Sequence, residues 1–322
     1  WAMKGQFEMN AQKYDDAKTI YLDLISRLNV AISKISVSKQ GYPEDLVYKG
    51  NMSNWVKLAN AIKLRLAINL ADVDPATSKT VAESAIAGGV FNSASDSYSL
   101  NFDGNTFTNP LFDDLVASGR NDFVPSNVIL DPMNTKSDPR RAPYFTPLAN
   151  GTFKGGNYGT KNTYANFSHI NSTFLKGNAP ANLFSYTEVL FLKAEAAQRG
   201  YNVGGGTAAS LFNAAVTASM LENGLTATDA NTYLTANPYN AANWKQSIGY
   251  EGWVAMWNSP FAAWNFTRRL DYPVLQTPPS SYIGGIPYRM PYSNQEYVTN
   301  NANVSAAASA IGGDNATTKL FW

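Results

Sequence analysis

The sequence predicts a mainly α protein in which a helical scaffold is interrupted by one long loop-rich excursion. Apolar residues recur at three- and four-residue steps in residues 1–90 and again in residues 184–257, which is typical of amphipathic helices. Residues 91–183 lack this periodicity and are rich in Asn, Gly, Ser, Thr and Pro. We therefore expect the first two segments to form the scaffold, 91–183 to form the excursion, and 258–322 to cross the helices as a C-terminal strap. From Pro273 to Trp322 the strap is expected to be irregular.

Three helices are predicted in the N-terminal part of the scaffold. One apolar stripe runs through residues 15–35, and a second runs through residues 53–71 and leaves Arg65 largely outside it. A shorter helix is predicted at 77–87, because the two glycines that follow it can supply a left-handed cap.

Three more helices are predicted in the second part of the scaffold. Ser185 and Glu188 fit a capping box. In this motif the serine side chain accepts a hydrogen bond from the backbone amide of the glutamate, and the glutamate side chain accepts one from the backbone amide of the serine. Thr207 can cap the next helix, and a sixth helix is predicted at 243–256. Helix pairs joined by short turns indicate tetratricopeptide-like packing, although no repeat of roughly 34 residues is evident.

The excursion 91–183 is expected to fold as ordered loops. It carries too many phenylalanine and tyrosine residues for a disordered linker. Long irregular segments inside a compact chain are commonly functional surfaces. We therefore expect the excursion to face a ligand.

Composition argues against several classes of function. The 322 residues carry a net charge of +1 and no basic block, so nucleic-acid binding is not predicted. No apolar run approaches the ~20 residues that are needed to span a bilayer. The sequence contains no cysteine, which excludes disulfides, thiolate metal sites and cysteine nucleophiles within it.

No catalytic residue, metal site or cofactor is predicted. The only histidine, His169, has no Gly-x-Ser-x-Gly motif to accompany it, so we expect an ordinary loop residue rather than part of a catalytic triad. A single histidine also excludes metal sites built on paired histidines. The glycines at 204–206 lack the Lys-Ser/Thr ending of a phosphate-binding loop and indicate a flexible turn between helices.

A carboxylate pair is the enzymatic alternative that remains open. Glycoside hydrolysis needs two carboxyl groups roughly 5 to 10 Å apart across the scissile bond. The candidates in the excursion are Asp103, Asp113, Asp114, Asp122, Asp131 and Asp138. Local structure offers another explanation for most of them. Asp131 and Asp138 each precede a proline, as in turns, and Asp113-Asp114 is typical of a helix start.

Aromatic residues make up 13% of the chain and could form a sugar-binding surface. Sugars present apolar C–H faces that stack on aromatic rings, while Asn, Arg and Asp side chains bond their hydroxyl groups. The tryptophans at helical or motif positions are expected in the core: Trp55, Trp244, Trp253 and Trp264. The motif arginines are expected as buried pairs or carbonyl anchors: Arg268, Arg269 and Arg289.

Several stretches of the sequence, taken together, resemble a known family. The chain reads W-V-K-L-A-N-A-I-K-L-R-L-A from Trp55, and in the excursion it reads N-P-L-F from Asn109, G-R-N-D-F from Gly119 and D-P-R from Asp138. It reads S-Y-T-E-V-L-F-L-K-A-E-A from Ser185. It then reads W-K-Q-S-I-G-Y-E-G-W from Trp244, A-W-N-F-T-R-R-L-D-Y-P from Ala263 and I-P-Y-R-M-P-Y from Ile286. In this order the stretches resemble the SusD/RagB family of nutrient-binding outer-membrane lipoproteins, and especially its SusD-like subgroup.

The resemblance implies a single SusD-like domain over residues 1–322, built on irregular tetratricopeptide-like repeats. Family members usually run well beyond this length, so we expect an N-terminal portion on the order of a hundred residues or more to precede this chain. They are not enzymes. The resemblance places the protein on the outward face of the Bacteroidetes outer membrane, held only by an N-terminal lipid anchor that this chain lacks. Its implied partner is a SusC-like TonB-dependent transporter, to which it delivers oligosaccharide or, in some members, peptide.

Ligand-contact residues differ widely among family members, so none is carried over by motif. Composition and position alone nominate Phe107, Arg120, Asn121, Phe153, Tyr158 and Tyr164, all in the excursion. Three alternatives stay open at this point. They are a peptide-binding member of the same family, a glycan-degrading enzyme with a carboxylate pair, and a scaffold subunit whose only ligand is the transporter.

Overall fold

The computed structural model describes residues 12–322 and confirms the mainly α fold class. The predicted N-terminal helices are present as α1 (Ala17–Lys34), α2 (Met52–Asn69) and α3 (Pro75–Ala87). At the start of each helix a side-chain oxygen accepts a free backbone amide, from Asp16, Asn51 and Asp74 respectively. After α3, Gly89 adopts a positive φ, as the predicted glycine cap requires.

The excursion contains short helices and two small sheets. Its elements are β1 (Tyr98–Leu100), α4 (Pro110–Phe112), α5 (Asn127–Thr135), α6 (Arg141–Tyr144), β2 (Phe145–Thr146), β3 (His169–Ile170) and β4 (Ala181–Phe184). Strand β1 pairs antiparallel with β4, so the start of the excursion lies beside its end. Strand β2 pairs antiparallel with β3. The boundaries drawn between scaffold, excursion and strap stay predictions.

The turn predicted at Asp131-Pro132 is wrong, because both residues lie inside α5. Ser126 caps this helix, and Leu130 and Met133 on its inner face are fully buried. Burial of that face outweighs the one helical hydrogen bond that a proline cannot donate.

The helix start predicted at Asp113-Asp114 is confirmed only for a π-helical segment, because the short helix α4 begins earlier and leads directly into it. Asn109 caps α4, and the two aspartates follow in a single wider turn of π-helix, Asp113–Ala117. Asp138 begins a turn, as predicted, because its carbonyl accepts the Arg141 amide at 3.3 Å, but it is also fully buried.

The second part of the scaffold contains more helices than predicted. Its elements are α7 (Tyr186–Gln198), α8 (Ala208–Glu222), α9 (Ala227–Ala236), α10 (Trp244–Ala255), α11 (Pro260–Leu270), α12 (Asn294–Thr299) and α13 (Asn301–Ala310). The sequence predicted α7, α8 and α10. It missed α9 and α11, and the irregular structure expected after residue 273 is wrong where α12 and α13 form. These four helices have 6 to 11 residues, too short for a repeating apolar stripe to be conspicuous.

The start of α7 follows only half of the predicted capping box. The Ser185 hydroxyl oxygen accepts the Glu188 amide at 3.1 Å, as expected. The Glu188 carboxylate does not accept a hydrogen bond from the backbone amide of Ser185. It instead accepts two hydrogen bonds at 2.8 Å from the guanidinium of Arg65 on α2, because the neighbouring helix offers a charged partner.

Two apolar cores hold the molecule together. The larger lies among the scaffold helices, where α2 packs against α1, α3 and α7, and α7 packs against α8 and α10. The smaller joins α5, α6 and β2 of the excursion to Tyr250 and Val254 of α10. The excursion is therefore fixed to the scaffold through its own core.

Three of the four motif tryptophans and all three motif arginines are structural, as predicted. Trp55, Trp244 and Trp253 pack against the larger core. The core position predicted for Trp264 is wrong, because this half-buried side chain lies outside both cores and its indole donates to the Pro287 carbonyl at 2.8 Å. Arg269 is buried against Glu195 at 2.9 Å, Arg268 donates to the Tyr288 carbonyl at 3.0 Å, and Arg289 pairs with Asp314. Within residues 12–322, no helix combines the length and apolar character that crossing a bilayer requires.

Candidate functional site

Two loops of the excursion, residues 119–124 and 156–162, form a shallow groove of about 480 Å³. Its lining includes Asn121, Phe123, Asn157, Tyr158 and Lys161, and we call this set the loop surface. The rings of Phe123 and Tyr158 are 49% and 36% exposed, respectively. The groove thus presents aromatic area together with amide and ammonium groups, which suits a neutral polar ligand.

Backbone hydrogen bonds hold the second loop against the start of α5. The Gly156 amide donates to the Pro125 carbonyl at 2.8 Å, and the Asn127 amide donates to the Gly156 carbonyl at 2.8 Å. The Asn127 side chain then accepts the Tyr158 amide at 2.9 Å. Because α5 belongs to the smaller core, Tyr158 is positioned by a rigid element rather than by the loop alone.

The loop closes on itself through the side chain of Asn162. Its amide oxygen accepts the Asn157 backbone N–H at 2.8 Å, and its amide nitrogen donates to the carbonyls of Asn157 and Thr160 at 3.0 and 2.9 Å. In the part of the chain that the structure describes, the side chain of Asn157 makes no hydrogen bond, so it is free to contact a ligand.

Arg120 braces the first loop. Its guanidinium donates to both carboxylate oxygens of Asp122, at 3.0 and 2.7 Å, and lies 4.7 Å from the centre of the Phe123 ring. The hydrogen bonds and charge of Arg120 lower the pKa of Asp122 below its usual value. Arg120 therefore supports Phe123, although its own charge is already paired.

A small pocket of about 30 Å³ lies beside the loop surface, between Arg120, Phe123, Tyr164 and His169. The His169 ring stacks on Tyr164 at 3.7 Å between centroids, and its Nε2 is 3.0 Å from the Tyr164 carbonyl oxygen. His169 thus holds the loop in place, which agrees with its prediction as an ordinary loop residue.

Four of the six nominated residues lie around Phe123: Arg120, Asn121, Tyr158 and Tyr164. The other two do not join them. Phe107 stacks on Phe102 at 4.7 Å in a separate turn, and Phe153 packs against the smaller core. The nomination of all six as ligand contacts stays a prediction, but the geometry favours packing for Phe153 and does not favour a ligand shared between Phe107 and the other four.

Phe123, Asn157 and Lys161 line the groove but were not among the six nominated residues. Phe123 follows the nominated pair Arg120-Asn121 directly in the stretch G-R-N-D-F, so this adjacency could have drawn attention to it. Asn157 and Lys161 carry no comparable signal, because only the fold of the second loop brings them to the groove.

The candidate carboxylates are largely used by local structure. Asp103 accepts the amides of Asn105 and Phe107, each at 2.8 Å, and Asp122 pairs with Arg120. Asp138 is paired with a buried arginine at 2.6 Å. In the part of the chain that the structure describes, no three His, Cys, Asp or Glu residues are grouped so that they could hold a metal ion.

Gly155 lets the second loop approach α5, and replacing it with alanine is expected to disturb the loop surface. A Cβ atom at this position would lie 2.4 Å from the Asn127 backbone nitrogen, in contact with backbone that cannot move aside. We expect Gly155→Ala to lower the free energy of unfolding by about 1–3 kcal/mol. Chemical denaturation measures this change, and a variant as stable as the parent would contradict the close approach.

Known proteins share both the sequence pattern and the fold. A SusD-like family model, described as "Starch-binding associating with outer membrane", matches residues 1–293. A solved structure described as a chitin-binding protein is 28% identical with a TM-score of 0.86, over 97% of this chain and 74% of its own. A chitin-binding SusD homologue from Flavobacterium johnsoniae is 28% identical with a TM-score of 0.84, over 98% and 74% of the two chains.

A SusD homologue from Bacteroides uniformis is similar to the same degree. It is 28% identical with a TM-score of 0.86, and the likeness covers 97% of this chain and 74% of that one. No curated protein matches the sequence. The family model covers most of the chain and these structures share its fold. This chain therefore belongs to the SusD-like family, whose description associates its members with the outer membrane.

Proposed function

We propose that this protein binds glycans at the bacterial cell surface and that it does so on the loop surface. One observation carries the proposal. Two exposed rings, Phe123 and Tyr158, lie beside the side chains of Asn121, Asn157 and Lys161, which have no hydrogen-bond partner within residues 12–322. Such unpaired polar groups next to accessible rings match the alternating apolar and hydroxylated faces of a sugar chain.

We propose an oligomer of N-acetylated sugars as the ligand. Two relatives at 28% identity are described as chitin-binding, which supports this choice. An acetamido group presents one N–H donor and one carbonyl acceptor, and the amide side chains of Asn121 and Asn157 offer the complementary atoms. Starch-type glucans, suggested by the family description, are the second glycan class to compare.

We also infer that a lipid anchor holds the protein on the outward face of the outer membrane and that it works with a SusC-like TonB-dependent transporter. Family membership supports both inferences. Cross-linking of the full-length protein in native membranes tests the partnership. A transporter recovered in one-to-one complex is the expected result, and recovery of the protein alone would contradict it.

The test of glycan binding is the double variant Phe123→Ala/Tyr158→Ala. Each ring is expected to contribute about 1 kcal/mol of stacking, so the affinity for the sugar oligomer should fall by about tenfold or more. Isothermal calorimetry with N-acetylglucosamine oligomers and with maltooligosaccharides measures the change. The two rings are exposed, so the fold should survive their removal.

Phe107→Ala provides the matched control. This ring is 46% exposed, close to the value for Phe123, but it lies outside the groove. It should leave the affinity unchanged. If Phe107→Ala weakens binding as much as the double variant, the loop surface is the wrong site. Release of shorter sugars from the ligand would favour the enzymatic alternative, and binding of peptides alone would favour a peptide-binding member.

A further inference from the structure

A second concavity lies where the excursion meets the ends of α8 and α10. It encloses about 410 Å³, and we call it the Trp257 cleft. Its lining includes Phe174, Pro180 and Asn182 from the excursion, Glu222 from α8, and Trp257 and Asn258 from the segment after α10. None of these residues belongs to the loop surface.

Aromatic contacts make one wall of the cleft rigid. The Trp257 ring lies 4.8 Å from Phe174 in an edge-to-face arrangement and 5.0 Å from Tyr144. Tyr144 is fully buried in the smaller core. The wall is therefore fixed to the scaffold before any ligand arrives, which lowers the entropic cost of binding.

Among residues 12–322, Glu222 is the only charged residue that lines the cleft. Within residues 12–322 no lysine, arginine or histidine forms an ion pair with it. Solvent reaches the side chain, yet the surrounding protein desolvates the carboxylate enough to raise its pKa. Most other carboxylates held close to protein here have a cation, as Glu188 has Arg65 and Glu195 has Arg269.

We propose that the Trp257 cleft binds a protonated amino-sugar unit. Its ammonium group would meet Glu222, and the apolar face of its ring would lie against the aromatic wall. A cation is favoured both by a carboxylate that has no cationic partner and by the faces of aromatic rings, so the two features select the same ligand chemistry. The inference deepens the proposed function, since it assigns deacetylated units of the same glycan class to a separate cleft.

The volume and polarity of the cleft fit one or two sugar units. A space of about 410 Å³ lies within the range of small-ligand pockets, roughly 300–1,000 Å³. Asn182, Asn258 and Ser259 line it beside the apolar wall. The Asn182 side-chain oxygen already accepts the Ser99 hydroxyl, and the Ser259 hydroxyl donates to the Asn182 carbonyl at 3.0 Å. The Asn258 side chain, the Asn182 amide nitrogen and the oxygen of the Ser259 hydroxyl remain for sugar hydroxyl groups, which a site for a bare alkylammonium ion would not need.

The test compares glucosamine oligomers with N-acetylglucosamine oligomers of equal length on the Glu222→Gln variant. Glutamine keeps the shape of the side chain and removes its charge. We expect the affinity for the glucosamine oligomer to fall by about ten- to a hundredfold, because a charge-assisted contact is lost. Affinity for the N-acetylated oligomer, bound at the loop surface, should not change. Calorimetry is performed at a pH at which the amine is protonated and carboxylates are ionised.

Asp131→Asn is the matched control for charge. It removes the same charge from an exposed helical carboxylate that does not line the cleft, and it should leave both affinities unchanged. The proposal is overturned if Glu222→Gln affects both oligomers equally, if it affects neither, or if the parent protein does not bind glucosamine oligomers. Tighter binding of lysine-containing peptides than of amino sugars would likewise overturn it.

The loop-surface variant separates this inference from the proposed function. In one outcome, Phe123→Ala/Tyr158→Ala leaves binding of the N-acetylated sugar intact while Glu222→Gln abolishes glucosamine binding. That result would support the proposal for the Trp257 cleft and contradict the proposal for the loop surface. The opposite pattern overturns the cleft and retains the loop surface.

Discussion

Methionine in place of Arg140 should lower the free energy of unfolding by about 3–5 kcal/mol. Arg140 is fully buried in the excursion, and its guanidinium donates to Asp138 and to Glu251 of α10, in each case at 2.6 Å. Glu251 in turn accepts the hydroxyl of Tyr233 from α9 at 2.7 Å. Removing the arginine leaves two carboxylates in the interior without a cation, which costs more than the ion pair itself contributes.

The same network explains why the loss of Arg140 should destabilise the whole molecule. It connects the turn after α5 to α9 and α10, alongside the smaller core, so it ties the excursion to the scaffold. The burial of Tyr233 and its proximity to Glu251 raise its pKa, which keeps its hydroxyl protonated as a donor to the carboxylate. Urea denaturation monitored by tryptophan fluorescence measures the change in stability.

Arg120→Met is the matched control for this prediction. Arg120 also pairs with an aspartate two residues away, at 2.7 Å, but both side chains are about half exposed. Water and salt screen such a pair, so its loss should change stability far less. Equal destabilisation by the two variants would show that burial of the pair does not determine its importance.

Much of the fold could be predicted because its signals are local. Thr207 and Ser185 lie at helix starts that the sequence indicates, since a cap depends only on residues within one turn. The partner of Glu188 could not be predicted in this way. Arg65 is 123 positions away and belongs to the face of α2 that a single apolar stripe leaves polar. Helix α2 contacts three other helices, so its polar side is packed as well.

The candidate site was predictable only as a region. Aromatic and amide content pointed to the excursion, and four nominated residues lie close together there. Composition could not distinguish Phe123 from Phe107, because both are loop phenylalanines with similar exposure. The difference lies in which loops meet, and this depends on long-range contacts such as the pairing of Ser126 with Gly156. The Trp257 cleft is formed by segments from three parts of the chain, so no local sequence pattern predicts it.

Phe266→Ala should destabilise the protein by about 3–5 kcal/mol, comparable to the loss of Arg140. Phe266 lies on α11 and is 1% exposed. Its ring packs edge-to-face on Phe191 of α7 at 6.0 Å and against Gly252 of α10. A Cβ atom on Gly252 would lie 2.7 Å from the Phe266 ring, so the surrounding helices already approach as closely as they can. They cannot collapse into the space that a missing ring leaves, and the variant should retain a cavity.

Phe261→Ala tests whether this effect comes from burial rather than from the loss of any aromatic ring in α11. Phe261 is one residue into the same helix and is 70% exposed, so its removal should change the free energy of unfolding by about 0.5 kcal/mol or less. A large loss for Phe266→Ala with a small one for Phe261→Ala would establish that α11 closes the larger core. That helix comes from the stretch A-W-N-F-T-R-R-L-D-Y-P, in which Arg269 is also buried. The residues that most clearly carry the family resemblance would then be those that hold the scaffold together.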